Sequence, residues 1–358
     1  MAFKIGFIGN GLISWAHAMA LRSIHDANLV DFTFEANFDE DFERAKQFSH
    51  VNGSSLAKSA DEVIASSDAV WICTPTASHL GLVRKCANSK IATFCEKPLA
   101  LNYPEALEIE RIVAESGILF QVGLVLRTCP VFLKLKSIVE DGKFGAPMAV
   151  NMRDDQFFPV QGHYASKWRS DVDQAGGGTL IEHSIHDIDI LTFCFGEVET
   201  LSANTSNNAR YVGIEDVAAV RMFHKTGAIS NLISVWHQIT TRPSTRRLEV
   251  FFENGFVWLE NDFIGPLNLQ TDSGSQVVQC ELKKEVASID MPDTDIALTV
   301  KMYAQENLMF LHAAKGISEP GPSAKDAVMA HWLIDAAYRS ASMGGMGIEA
   351  IEMKRPDF

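Results

Sequence analysis

Glu182, His183, His186, Asp187 and Asp189 crowd one short stretch that begins at the triplet Gly176-Gly177-Gly178. Read as a helix entered through a glycine turn, the stretch places Glu182, His186 and Asp189 at i, i+4 and i+7, on one face. Isoleucines and leucines fill much of the rest, so this polar stripe is expected inside a largely buried helix. A carboxylate one turn from an imidazole orients and tunes it, which suits a general acid or base. Two plainer readings compete. His183 and His186 with the acids could ligate a metal, although glutamate beside histidine with no third histidine nearby is a poor zinc set. Alternatively, the histidines are core residues with satisfied hydrogen bonds.

Lys97 is a second group that could move a proton. It follows the apolar run Ile91–Cys95 and stands between Glu96 and Pro98, and proline biases the preceding residue toward extended backbone. At the carboxyl end of a parallel strand, where α/β ligands bind, its ammonium can donate to a substrate hydroxyl. Desolvation there would lower its pKa. A solvated turn lysine is the alternative.

Upstream, Gly9-Asn10-Gly11-Leu12-Ile13-Ser14 follows a first strand and opens a helix. Gly9 permits the tight turn and Gly11 lets the backbone approach a pyrophosphate at the helix N-terminus, with Ser14 in place of the third glycine. A second strand ends in Asp39, somewhat beyond the usual ~20-residue spacing, placed to hydrogen-bond ribose hydroxyls. Glu40 and Asp41 add negative charge where a 2′-phosphate would sit, which favours NAD over NADP. Arg44 and Lys46 are the nearby cations.

These groups need a frame, and the hydrophobic pattern supplies one. Lys4–Ile8, Leu29–Phe38, Ala69–Cys73, Ile91–Cys95 and Leu119–Val122 read as strands. Between them Leu12–Ser23, Glu40–Phe48, Ala60–Ala65, Ser78–Ala87 and Tyr103–Ser116 read as helices. Such alternation predicts a doubly wound parallel sheet covered on both faces. Beyond Gly123 the pattern changes. A helix over Val131–Asp141 precedes short strands at Met148–Arg153, Val198–Asn204, Val217–Phe223 and Ala228–Trp236. Leu248–Phe252, Phe256–Glu260 and Val277–Leu282 continue the series, and His224–Gly227 and Glu253–Gly255 are hairpin connectors. Two long helices, Ile296–Lys315 and Ser323–Ser342, follow. The expected fold is α/β plus α+β. A Rossmann domain occupies residues 1–122, and residues 123–358 form an open-faced, mainly antiparallel sheet with helices on one face.

Composition narrows the function classes. Of 358 residues, 47% are hydrophobic and 21% charged, ordinary for a globular protein and enough to exclude dominant disorder. Lysine and arginine total 31 against 45 acids, a formal charge of −14 that repels phosphate backbones and anionic bilayers. The densest basic stretch, Arg242–Arg247, is too small to reverse that. No run approaches the ~20 apolar residues of a membrane span, and the opening residues lack the pattern of a signal peptide. Six scattered cysteines without a CxxC pair read as buried thiols. A reduced, cytoplasmic protein without nucleic-acid or membrane partners is expected.

Taken in order, the glycine loop, Thr74-Pro75 with His79, Glu96-Lys97-Pro98, and Gly176-Gly177-Gly178 with Glu182, His186 and Asp189 resemble the Gfo/Idh/MocA oxidoreductases. The resemblance spans nearly the whole chain and includes Arg127 before Pro130 and Trp168-Arg169 ahead of the glycine triplet. It implies reversible hydride transfer between NAD(P) and a hydroxyl-bearing carbon of a sugar or cyclic polyol. Lys97 and His186 inherit the catalytic roles, with Glu182 where aspartate is usual and Leu126 where an aromatic or basic residue often precedes Arg127. The cofactor set so implied is Gly9, Asn10, Gly11, Leu12, Ile13, Asp39, Thr74, Pro75, His79, Glu96, Lys97, Arg127 and Trp168. The substrate set adds His163, Tyr164, Arg169, Glu182, His183, His186 and Trp236 to Lys97 and Arg127. No metal is expected, and a homodimer or homotetramer would form through the open sheet. A non-catalytic sugar-binding protein that retains NAD, and an NAD-assisted glycoside hydrolase or lyase, are the alternatives.

Overall fold

The structure, a computed structural model, describes residues 2–349. The first third alternates strand and helix: β1 (Phe3–Ile8), α1 (Leu12–Asp26), β2 (Phe32–Phe38), α2 (Phe42–Asn52), β3 (Ser55–Leu56), α3 (Ala60–Ser66), β4 (Ala69–Ile72), α4 (His79–Asn88), β5 (Ala92–Cys95), α5 (Tyr103–Ser116) and β6 (Phe120–Val122). Side chains chosen for the task start these helices. Asp41 and Asn102 accept the N–H groups of Arg44 and Glu105, and Pro104 sits in the first turn of α5. The strands form one parallel sheet in the order β3-β2-β1-β4-β5-β6. Ligand-binding loops of such a sheet lie at the strands' carboxyl ends.

Next come α6 (Pro130–Asp141), β7 (Pro147–Phe157), α7 (Val172–Ala175), α8 (Thr179–Glu182), α9 (Ile185–Phe195), β8 (Val198–Ser206), β9 (Val217–His224), β10 (Ile229–His237), β11 (Thr245–Phe252), β12 (Gly255–Leu259), β13 (Leu267–Thr271) and β14 (Gly274–Val278). The chain continues through α10 (Lys284–Ala287), α11 (Asp295–Ala314), α12 (Ala324–Ser342) and β15 (Ile348–Glu349). Nine of these strands form the second sheet, β14-β13-β12-β11-β7-β10-β9-β8-β15, antiparallel except where β7 and β10 pair. α8 and α9 pack on one of its faces. Burial alternates along β10 and β11, inward at Leu232, Leu248 and Val250 and outward at Ile233 and Phe251.

The chain divides into two compact units: residues up to Thr128 together with Leu282–Val328, and Cys129–Glu281 together with the residues from Met329 onward. This differs from an expected second domain running unbroken from residue 123, because α10 and α11 return to the first unit. There Phe310, Leu308 and Leu311 of α11 join Ile5, Phe7, Trp71 and Phe94 in one of the two cores that cover the parallel sheet. Phe310 is fully buried with its ring 5.0 Å from Trp71, a burial that stabilises by about 1.5–3 kcal/mol. The other core gathers Ile8, Val70, Ile72 and Val122 under Leu82 and Ile109.

Three expectations need correction. Gly176–Asp189 is not one helix: it breaks at His183 and Ser184, between α8 and α9. Ser184 Oγ reaches Asp154 at 2.9 Å and Ser234 at 2.7 Å, a tertiary anchor that ends the first helix. The strand expected over Val277–Leu282 lies earlier, ending at Val278 in β14. β13 and β14 pair, and Val277 is 56% exposed. β7 extends to Phe157, four residues past its expected end, because the two aspartates there are matched by arginines. Among the described residues no helix is long and apolar enough to cross a membrane.

Candidate functional site

In the first unit β1 delivers the chain into the glycine loop. Gly9 has φ +87°, and a Cβ on it would stand 2.6 Å from the Cys73 carbonyl oxygen, so only glycine fits. Gly11 precedes α1, and no side chain caps that helix. Nothing lies within 4 Å of where a Gly11 side chain would begin. Ser14 Oγ turns back to the Gly11 carbonyl at 2.6 Å. The first-turn N–H groups and the positive end of the helix dipole are therefore presented to an anion. Asn10 is fully buried, accepts from Asn37 at 2.9 Å, and keeps an Nδ2 without a partner. Leu12 is half-exposed beside it, and Ile13 is partly buried.

Asp39 closes the loop from the end of β2. Its Oδ2 accepts the Asn10 N–H at 2.7 Å and its Oδ1 the Asp41 N–H at 2.8 Å, while Arg44 lies 3.7 Å away. An open, glycine-lined helix start with an anchored acid at the next strand end fits a dinucleotide. The pyrophosphate would meet the Gly11–Ile13 backbone, and Asp39 the ribose.

Beyond β4, Thr74 Oγ1 accepts from Ser78 at 2.6 Å, and Pro75 leads into a short 3₁₀ turn. His79 hydrogen-bonds the protein's own backbone. It is buried, its Nδ1 lies 2.9 Å from the Pro98 carbonyl and its Nε2 3.2 Å from that of Thr74. Burial lowers its pKa, with those hydrogen bonds opposing. It joins the two loops that follow β4 and β5.

Glu96 likewise points inward. One oxygen meets His17 Nε2 at 2.7 Å and the other accepts the Lys97 N–H at 3.1 Å. Lys97 itself follows β5, at the same sheet end as the glycine loop, with a cis peptide to Pro98. Arg127 pairs with Asp326 at 2.6 Å.

The second unit brings together most of the remaining candidates. Glu182 ends α8, buried, and Arg169 Nε donates to it at 3.1 Å. The same guanidinium lies 4.3 Å over the Trp168 ring. His186 occupies the first turn of α9 and is buried but for 8%. His183, in the break, lies 3.4 Å from Asp154. Asp189 is buried in α9. His163 is exposed and packs its ring 4.2 Å from that of Tyr164. Burial raises the Tyr164 phenol pKa, and Arg169 opposes the rise. Trp236 packs within the second unit. It is 3% exposed, in a core with Phe158, Ala175 and Ile214.

Sequence reading missed two groups. Arg246, nearly buried, donates to Asp187 at 2.7 Å, Asp262 at 2.9 Å and Asp154 at 3.2 Å. Burial pushes the Asp154 carboxyl well above the usual range, against the pull of Arg246. The basic stretch Arg242–Arg247 was the available signal, but it is spent internally, with Arg242 on Asp155 at 2.6 Å. Glu215 accepts from Gly178 N at 2.8 Å, Leu180 N at 2.9 Å and Tyr338 at 3.0 Å. It thereby caps the helix that the glycine triplet opens. Nothing in the local sequence marks it. Among the described residues no group of three or more His, Cys, Asp or Glu side chains is arranged to hold a metal.

Comparison with known proteins bears on each half. Residues 3–124 match the oxidoreductase family with an NAD-binding Rossmann fold, and residues 132–258 match the GFO/IDH/MocA C-terminal domain. The chain is 27% identical over 348 residues to an inositol 2-dehydrogenase of Rhizobium meliloti (strain 1021), covering 96% of this chain and 98% of that one. It is 28% identical over 350 residues to a myo-inositol 2-dehydrogenase of Thermotoga maritima, covering 94% and 96%. An inositol dehydrogenase homolog from Azotobacter vinelandii, solved with NAD+, shares the fold with a TM-score of 0.81 at 18% identity over 98% and 97% of the two chains. Matched in both halves, with a glycine loop and anchored acid suited to a dinucleotide, the chain belongs to the Gfo/Idh/MocA family of NAD-dependent oxidoreductases.

Proposed function

We propose that the chain oxidises a secondary hydroxyl of a sugar or cyclic polyol, or reduces the matching carbonyl, with Lys97, His186 and Glu182 as its working residues. The observation that carries this reading is the position of Lys97 at the carboxyl end of β5, at the sheet end that presents the glycine loop and Asp39. NAD supplies the hydride chemistry. His186 takes the hydroxyl proton in the oxidative direction, and Lys97 stabilises charge developing on the oxygen. Glu182 is held by Arg169, which suits it to orienting a hydroxyl more than to exchanging protons. Tyr164 and His163 lie near that pair as candidate substrate contacts. The polyol class is supported by the curated relatives, inositol dehydrogenases over nearly their whole length.

Two finer readings accompany this one. Five buried thiols and one partly buried one, none of them in a disulfide, support a reducing, cytoplasmic setting. Phe223, Ile233 and Phe251, exposed on the open face of the second sheet, support a homodimer or homotetramer.

The test is turnover of NAD against inositols, aldoses and sugar acids. Steady NADH formation with a polyol is expected. Lys97→Ala should lower kcat by about 10²-fold or more with NADH still bound. Product formed with no net change in NADH would instead indicate NAD-assisted hydrolysis or elimination, and near-normal turnover in the variant would remove Lys97 from the mechanism.

A further inference from the structure

In the first unit a line of buried polar side chains runs from α11 to the residue before Lys97. Asn307 Nδ2 donates to the Tyr303 carbonyl at 2.7 Å, and Trp71 Nε1 donates to Asn307 Oδ1 at 2.8 Å. That oxygen is therefore an acceptor, and His17 Nδ1, 3.1 Å from it, carries a proton toward it. His17 Nε2 lies 2.7 Å from Glu96 Oε1. A second proton occupies that contact, whichever atom holds it. Glu96 Oε2 accepts the Lys97 N–H. Apart from which atom holds that proton, every acceptor and donor in the line has one assignment.

Such a line costs desolvation in a core that contains Trp71 and Phe94 and that an apolar residue at 17 would fill as well. Other parts of the unit are shaped around it. A Cβ at Gly123 would stand 2.7 Å from Glu96 Oε1, so that position must stay bare for the carboxylate to sit there. Cys73, Cys95 and Glu306 also face Glu96, and burial raises the pKa of all three, which favours their uncharged forms beside it. Burial of His79, a further titratable neighbour, lowers its pKa and favours the neutral ring.

We propose that His17 and Asn307 are positioning residues for Lys97. They act through Glu96, whose free oxygen fixes the Lys97 backbone at the end of β5. The inference rests on the reading of Lys97 as the group that handles charge on the substrate oxygen. It extends that reading to α1 and α11, two elements distant in sequence from the motif.

Glu96→Gln separates hydrogen bonding from charge. The amide can donate to a neutral His17 Nε2 and still accept from Lys97 N–H, whereas Glu96→Ala and His17→Leu break the line. Kinetics with the best polyol of the panel should give a kcat roughly 10- to 100-fold lower for both breaking variants, the scale of an ångström's misplacement. The NADH dissociation constant should stay within about threefold, and Glu96→Gln should recover most of the loss. In a Lys97→Met background Glu96→Ala should add little, which a general loss of packing would not mimic. Gly123→Ala crowds the carboxylate from outside the line and should lower kcat in the same sense, serving if Glu96→Ala fails to fold. Unchanged kcat in a folded breaking variant, or a Glu96→Gln as impaired as Glu96→Ala, overturns the proposal.

A second measurement needs no substrate. The rate at which acetic anhydride labels Lys97, followed by mass spectrometry, should change by a factor of roughly three or more in Glu96→Ala and less in Glu96→Gln. Equal rates in all forms count against positioning. An active Lys97→Met would sink the catalytic reading alone, and the labelling rates would still decide this one.

Discussion

Asp39 does more than wait for a ribose. Both its oxygens already hold backbone N–H groups, of Asn10 in the glycine loop and of Asp41 at the start of α2, so it shapes the loop it serves. Arg44 leans toward Asp39 and Asp41, each at 3.7 Å, so its charge is shared with two carboxylates. Removing the carboxylate should both relieve repulsion and free the arginine. Asp39→Ser is expected to improve NADPH binding relative to NADH by about tenfold, or ~1.4 kcal/mol. Fluorescence titration of the two cofactors measures this, and an unchanged ratio would refute it. Residue types were legible here, but directions were not. Glu96 and His79 stood in recognisable motifs, yet both turn inward to hydrogen-bond the protein itself. Spacing names a residue's neighbours in the chain and says nothing of partners such as His17, far away in sequence.

At the scale of elements, what sequence hid is tertiary. The parallel sheet and its helices were legible because burial on both faces writes continuous apolar runs into strands. The break between α8 and α9 depends on Ser184 meeting Asp154 and Ser234, and no local propensity records that. β7 outlasted its hydrophobic stretch for a similar reason, since Arg246 and Arg242 neutralise Asp154 and Asp155.

α11 offers the sharpest case and a prediction. Glu306 is fully buried, and neither carboxylate oxygen has a hydrogen-bond partner among the described residues. Burial first, and the charge of Glu96 second, hold its pKa well above the ordinary 4.5. The folded chain therefore keeps a proton that the unfolded chain releases above pH 4.5. Stability from this group is fully present below that pH and is lost as pH rises toward the folded value, by about 1.4 kcal/mol per pH unit. Glu306→Gln removes that slope. Asp154, Glu215 and Asp262, also raised by burial, remain in both proteins and cancel in the difference. The melting temperature of Glu306→Gln minus that of the natural chain should climb steadily from pH 5 to pH 8. A constant difference would mean Glu306 is ionised in the fold.

For the whole molecule, chain order is not unit order: α10 and α11 rejoin the first unit after the second sheet has been built. Sequence patterns mark each helix but not which sheet it covers. They do mark the sheet's bare face. Phe223, Ile233 and Phe251 point outward there at 38%, 41% and 42% exposure, and the Phe251 ring lies 4.6 Å from Phe256, which stacks on Trp258 at 5.2 Å. Water is a poor neighbour for these exposed apolar side chains, which a polar row of Glu249, Asn151, Asn231 and Arg221 divides, and a self-complementary face is the usual way to cover them. Burying about 800 Å² per copy would suffice for a stable dimer. Opposing this is the chain's net charge of −14, so association should tighten as salt screens the repulsion. Sedimentation velocity at micromolar concentration should therefore report a dimer or tetramer, strengthened between low and physiological salt. The double change Ile233→Asp with Phe251→Asp touches only the exposed face and should leave the circular dichroism spectrum and melting temperature close to those of the natural chain. It should yield a monomer, because four aspartates would meet across a two-fold axis. A natural chain that sediments as a monomer at every salt concentration would show that the face is covered by something other than a second copy.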